Sequence, residues 1–276
     1  MKSHKLFFLP GLIFFFFFTG WMNVSAQEEK ALDDQQTKGK TPVSFNFGAD
    51  LMSRYIWRGT DYGNSPAIQP NLNFSVGGFS IGAWGSYSFT GHKVQINDTT
   101  SIHAGNYAEF DLYISYTYKW FTLMVFDFFI PNPIDPNYKV RYFDYRNSST
   151  GHGLELSLAF NGTEKVPLQI LVGTLIYGAD KNQDSSGVYG LGTKNNFSTY
   201  IEASYKFNVV GIELKPFIGG IPFGSSWYGP CAGIVNLGLT AKKSIPVTRD
   251  FNIPVQASLI TNPQAQSIFF VFGLSL

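Results

Sequence analysis

The chain has 276 residues, with 20 Lys+Arg against 19 Asp+Glu and a single Cys. Charged residues make up 14%, against roughly 25% in an ordinary soluble domain. Aromatics reach 17% while mean hydropathy stays at −0.01, so Gly, Ser, Asn and Thr, not charges, dilute the apolar content. The near-neutral balance, with no basic stripe, removes the electrostatic case for nucleic acid. A lone Cys excludes a disulfide scaffold and any CxxC metal or redox motif.

Residues 1–26 are predicted to be a secretory signal peptide. Lys2 and Lys5 give the positive start, Leu6 to Phe18 the apolar stretch, and Val24-Ser25-Ala26 the small-residue cleavage site. Gln27 to Pro42 is polar and poor in apolar residues, which predicts a flexible periplasmic leader. Residues 43–276 contain no second linker of this kind and are taken as one domain. No stretch after the signal has the ~18 apolar residues of a spanning helix. Period two recurs instead.

Segments of this type lie near 43–58, 67–76, 79–89, 107–119, 120–130, 152–160, 168–177, 197–207, 209–218, 234–242, 253–260 and 267–276. In the first, Val43, Phe45, Phe47, Leu51, Tyr55 and Trp57 share one face, opposite Asp50, Arg54 and Arg58. In the fourth, Phe110, Leu112, Ile114, Tyr116 and Tyr118 oppose Glu109, Asp111, Tyr113 and Lys119. The eighth sets Ile201, Tyr205 and Phe207 against Glu202 and Lys206, and Glu213 shares a parity with Lys215 in the ninth. No charge is expected on the apolar face of any segment.

A β-sandwich with a buried apolar face alternates too. Two further patterns favour lipid. Aromatics such as Tyr55, Trp57, Tyr87, Phe89, Tyr116, Tyr118, Tyr205 and Phe207 gather at the segment ends, as interfacial girdles do. Connections after segments two, four and eight are tight, whereas those after three, five and seven are long and rich in Asn, Asp, Ser and Gly. The expected fold is therefore all-β, a transmembrane up-and-down antiparallel barrel of about twelve strands in the bacterial outer membrane, both termini periplasmic. Pro70 and Pro216 inside strands, and a long turn over Lys243 to Asn252, run against this expectation.

Ser53-Arg54-Tyr55-Ile56-Trp57-Arg58-Gly59 followed by Pro66-Ala67-Ile68-Gln69 resembles the N-terminal motif of the TorF-like putative porin family. Gly151-His152-Gly153-Leu154-Glu155, Ser198-Thr199-Tyr200-Ile201-Glu202, Asn236-Leu237-Gly238 and Asn262-Pro263 are similar to its later blocks. The resemblance implies an outer-membrane porin and no shared catalytic chemistry. Leu276, not an aromatic, ends the alternation of Phe270, Phe272 and Leu274.

A twelve-strand barrel has a backbone diameter of about 25 Å. The pore-lining candidates are Arg54, Arg58, Glu109, Asp111, Tyr113, Asp127, Glu155 and Glu202; Trp84, Phe129 and Tyr177 could also narrow the bore. Tyr113 is expected near Asp127. The two arginines either face Glu109, Asp111, Asp127 and Glu155 across open water, setting up a transverse field, or form structural salt bridges that fill the lumen. A hydrolase needs a nucleophile, a His base and an orienting group, and His152 beside Glu155 is the best candidate, since His92 and His103 fall in a loop; a structural role at the loop base is expected instead, and no enzyme activity. Asp180-Lys181-Asn182-Gln183-Asp184 has calcium-like oxygen spacing, yet Ser185 and Leu191 replace the turn Gly and the final Glu, so it is taken as a solvated loop without metal or cofactor. The expected function is passive diffusion of small hydrophilic solutes, with lipid as the surrounding partner. A closed barrel acting as a receptor or adhesin through its external loops is the alternative.

Overall fold

The computed structural model describes residues 41–97, 100–104, 106–131, 141–249 and 251–276, with 92–97 and 100–104 by backbone only. The expected signal peptide and the leader up to residue 40 lie outside the described residues. Twelve strands form the wall: β1 (Val43–Met52), β2 (Ala67–Val76), β3 (Phe79–Ser88), β4 (Ala108–Tyr118), β5 (Phe121–Phe129), β6 (His152–Phe160), β7 (Leu168–Gly178), β8 (Thr199–Tyr205, resumed at Phe207–Val209), β9 (Ile212–Ile221), β10 (Gly233–Pro246), β11 (Asn252–Asn262) and β12 (Ser267–Ser275). Each pairs antiparallel with the next, and β12 closes on β1 with Asp50, Leu51 and Met52 opposite Ser275, Leu274 and Gly273. Up-and-down closure leaves no sheet edge running round the wall.

Period two builds this wall because successive side chains point to opposite faces. On β4, Phe110, Leu112, Ile114, Tyr116 and Tyr118 are exposed on the outside, while Glu109, Asp111 and Tyr113 are buried inside. Phe45, Ile81, Leu158, Ile201, Leu239 and Phe270 continue the outer apolar surface around the barrel. Tyr87, Phe89, Tyr116, Tyr118, Tyr205 and Phe207 are all exposed at strand ends. The tight connections fall where expected, between Val76 and Phe79, Tyr118 and Phe121, and Val209 and Ile212. In the last, Val210 and Gly211 both take positive φ, 50° and 74°, the turn whose twist suits a two-residue hairpin.

Both strand prolines sit where a ladder lapses. The β2–β3 register passes from Ile68↔Tyr87 to Asn71↔Trp84, skipping Pro70. The β8–β9 register passes from Ser204↔Phe217 to Phe207↔Leu214, skipping Pro216. A missing N–H breaks the pairing on one side only; Pro70 and Pro216 remain in register with Ala49 and Leu239 on the other. Half of the long turn after β10 is strand: pairing continues to Pro246↔Asn252.

The first wall strand departs from expectation. It ends at Met52, and the chain then turns into the barrel, where Ile56–Trp57 pairs with Thr60–Asp61. Tyr55 and Trp57, expected at the lipid interface, are instead 2% and 3% exposed in the interior aromatic cluster with Trp84, Phe128, Tyr200 and Tyr228. The ladder to β2 ends at Met52↔Ala67, and beyond it the Tyr55 and Trp57 rings pack against Trp84, Phe128 and Tyr228 instead of facing outward.

The turn of this inner hairpin is Arg58-Gly59, with φ of 48° and 82°. A Cβ on Gly59 would lie 1.9 Å from the Val235 carbonyl oxygen. Gly59→Ala is therefore expected to destabilise the barrel by at least about 2 kcal/mol, from the left-handed backbone together with the clash. Urea unfolding in micelles reads this; a change within about 0.5 kcal/mol, typical of an indifferent surface site, would mean that the hairpin does not pack on β10.

Candidate functional site

The inner hairpin carries Arg58 to the middle of the lumen, where it meets Glu155 of β6. Arg58 Nη1 and Nη2 donate to Glu155 Oε2 and Oε1 at 2.5 and 2.7 Å, with both side chains nearly solvent-free. Tyr228, from the 222–232 loop, contacts Arg58 through its hydroxyl and donates to Glu155 Oε2 at 3.4 Å. Ser157 Oγ donates to Glu155 Oε1 at 2.6 Å. The guanidinium carbon lies 4.6 Å from the ring centres of both Trp57 and Tyr200, and 5.4 Å from that of Tyr228. A two-pronged charged bond among aromatic faces is the strongest form such a pair takes.

A second network adjoins it. Tyr200 donates to Glu202 Oε2 at 2.6 Å, and Asn236 Nδ2 donates to the same oxygen at 3.1 Å and to the Tyr200 hydroxyl at 2.8 Å. Beneath the hairpin lies a cavity of about 60 Å³ whose walls include Gln69, Glu202, Lys242, Gln256 and Ser258. That is room for a handful of waters. Two strand charges nearer the far end of the bore, Lys206 and Lys215, are placed as neighbours by the β8–β9 register on either side of its gap.

The predicted lining residues divide into three groups. Arg58, Glu155 and Glu202 converge as described. Glu109 and Asp111 lie inside on β4 but engage other partners: Tyr107 donates to Glu109 at 2.7 Å and the Phe129 amide to Asp111 at 3.3 Å. Tyr113 also points inward, accepting from Asn73 Nδ2 at 2.9 Å. Arg54 bonds Asp61 and, at 2.5 Å, Asn64 within the inner loop. The arginines therefore do not face the acids across open water; Arg58 bonds directly to one of them, and the lumen at that height is packed.

Asp127 is a correction. It shares the outer parity of Leu123 and Val125 and stands in register with Leu112 and Leu154, away from Tyr113. It is thus a charge on the otherwise apolar face. There His152 Nδ1 lies 2.7 Å from Asp127 Oδ1, Tyr145 donates to Oδ2 at 2.7 Å, and the Tyr145 ring stacks on His152 at 4.0 Å. Phe129 and Tyr177 are outside as well: Phe129 packs on His152 at 4.6 Å, and Tyr177 donates to the Tyr145 carbonyl at 2.5 Å. β5 is apolar on both faces, with Phe126 and Phe128 inside, so alternation sets no phase and its single charge is a misleading guide. His152 and Glu155 consequently lie on opposite faces of β6 and form no common site.

Arg146 and Ser149 bond Asp144 in the covering loop and hold its carboxyl well below the usual carboxylate range, so this local tie is present at neutral pH and is lost only as pH falls through that lowered value. The calcium-like oxygens of 180–184 serve the loop itself. Asp180 accepts from the Ser198 amide and hydroxyl, and burial pushes its carboxyl upward against those bonds. Asn182 accepts from the Lys194 amide, and Asp184 from the amides of Ser186 and Val188. Cys231 is exposed. Sequence reasoning missed Trp57, Tyr200 and Tyr228 as the housing of Arg58; the surplus length of segment one was the signal available.

The molecule is thus a closed antiparallel barrel of twelve strands, apolar outside, with an internal hairpin clamped across its bore. The chain belongs to Gcw_chp, a bacterial family of unknown function, whose model matches residues 36–223. No curated protein matches the sequence. Among solved structures, Salmonella typhi OmpF in complex with daunomycin aligns over 85% of this chain and 97% of its own, at 8% identity and a TM-score of 0.35.

Proposed function

We propose that this protein is an outer-membrane, porin-like channel for passive diffusion of small hydrophilic solutes, held shut part-way along its bore by the hairpin of residues 53–66. The observation that carries this reading is the inner wall around and beyond the clamp. Asp50, Gln69, Asn73, Lys215, Thr240 and Ser258 all point inward from β1, β2, β9, β10 and β11. A barrel that needed only to be filled would be served better by apolar side chains, because burying polar groups gains little net stability and costs heavily where a partner is missing. The resemblance of the 53–69 motif to the TorF-like porins agrees with this assignment, and the outer apolar belt suits lipid. No catalytic step is part of it.

The Arg58–Glu155 closure favours a second reading, a permanently closed barrel that presents its loops to an external partner. Conductance separates the two. Replacing residues 54–65 by a short Gly-Ser turn is expected to convert a low-conducting barrel into one with large, steady single-channel currents in planar bilayers, and to let sugars swell liposomes. If the shortened barrel assembles and still passes neither ions nor sugars, the channel reading fails and the closed barrel stands.

A further inference from the structure

The housing of Arg58 belongs mainly to the wall, not to the hairpin. Glu155 and Ser157 come from β6, Tyr200 from β8 and Tyr228 from the 222–232 loop; only Trp57 travels with Arg58. The hairpin places an arginine at a turn position with φ of 48°, where Asn, Asp or Gly is the usual occupant. Its side chain therefore dictates the residue there. What it enters is complete on the barrel side. A carboxylate with no solvent exposure offers both oxygens in one plane, a hydroxyl stands beside them, and two tyrosine rings flank the position of the guanidinium carbon.

We propose that Glu155, Ser157, Tyr200 and Tyr228 form a guanidinium-binding site, filled from within by Arg58 and open to a small alkylguanidinium solute when the hairpin withdraws. This rests on the gated-channel reading, because only a hairpin that moves vacates the site. A bare carboxylate among rings is unfavourable, so withdrawal requires a replacement cation or a flood of water. The planar fork of donors and the stacked faces select guanidinium over a primary ammonium, which offers a point charge and no plane. Such a solute takes over the bonds Arg58 gives up, and its arrival and the opening of the bore are linked.

The test uses the full-length Arg58→Ala barrel with methylguanidinium chloride as probe, and methylammonium chloride at equal concentration as control. Trp57 and Trp227, whose rings stand 6.0 Å apart beside the site, supply the fluorescence signal. Millimolar methylguanidinium is expected to give a saturable change that methylammonium does not. Arg58→Ala/Glu155→Gln should weaken it by about tenfold or more, the loss of a bond to a charged group. In planar bilayers, methylguanidinium should raise the conductance of the wild-type barrel, and methylammonium at equal concentration should not. An assembled Arg58→Ala barrel with no saturable response, or one equal for both cations or indifferent to Glu155→Gln, overturns the site. Should Arg58→Ala fail to assemble alone, assembly rescued by methylguanidinium and not by methylammonium gives the same support, and its absence the same refutation. Binding without conductance in any form would retain the site and remove the channel; conductance blind to methylguanidinium would retain the channel and remove the site.

Discussion

Glu155→Ala is expected to lower the unfolding free energy of the barrel by about 3–5 kcal/mol, the cost of stranding one member of a buried ion pair. Arg58 would keep its charge in a space walled by Trp57, Tyr200 and Tyr228, with the carboxylate gone. The double variant Arg58→Met/Glu155→Leu should recover most of that loss, since apolar residues of similar size replace such pairs at little cost. Urea unfolding in micelles measures all three proteins, and the cycle isolates the coupling. A loss under about 1 kcal/mol for Glu155→Ala would mean that the pair sits in water, where ion pairs are weak. The consequence for function would be direct, because a hydrated Arg58 could not hold the bore closed.

Ile114→Arg should cost about 2–4 kcal/mol in a lipid-embedded barrel, the range for a lipid-facing arginine well inside a spanning strand. Ile114 is exposed on the outer face of β4, beside Ile81 of β3 and Val125 of β5, with no charge opposite it to pair with an introduced arginine. The penalty is expected only when the barrel is folded into vesicles. A similar, small effect in water and in lipid would reject a membrane around this wall. Asp127 shows how the fold tolerates one acid on that side: His152 and Tyr145 bond it beneath the 141–150 loop, so it does not meet lipid bare.

These two sites mark what could be read from the residues and what could not. Strand number, the tight turns, and the faces of those strands that have a single apolar side were legible because they depend on neighbours two apart and on local turn chemistry. Leu112 and Glu109 occupy the faces that alternation assigns. Even Pro70 and Pro216, which argued against a closed wall, are compatible with it once each ladder lapses on one side.

The clamp was not legible. Arg58 and Glu155 are 97 residues apart, and nothing local joins them. Segment one keeps its alternation past Met52, so the sequence carries no mark of the point where the chain leaves the wall. Likewise Asp127 lies in a strand apolar on both faces, where period two has no phase to give. Alternation is a property of one strand against two environments, and it determined the barrel, its girth and its oily exterior. How the interior is filled depends on which distant side chains fit together across the bore, and only the closed wall, by bringing β6, β8 and the inner hairpin to one place, decided that.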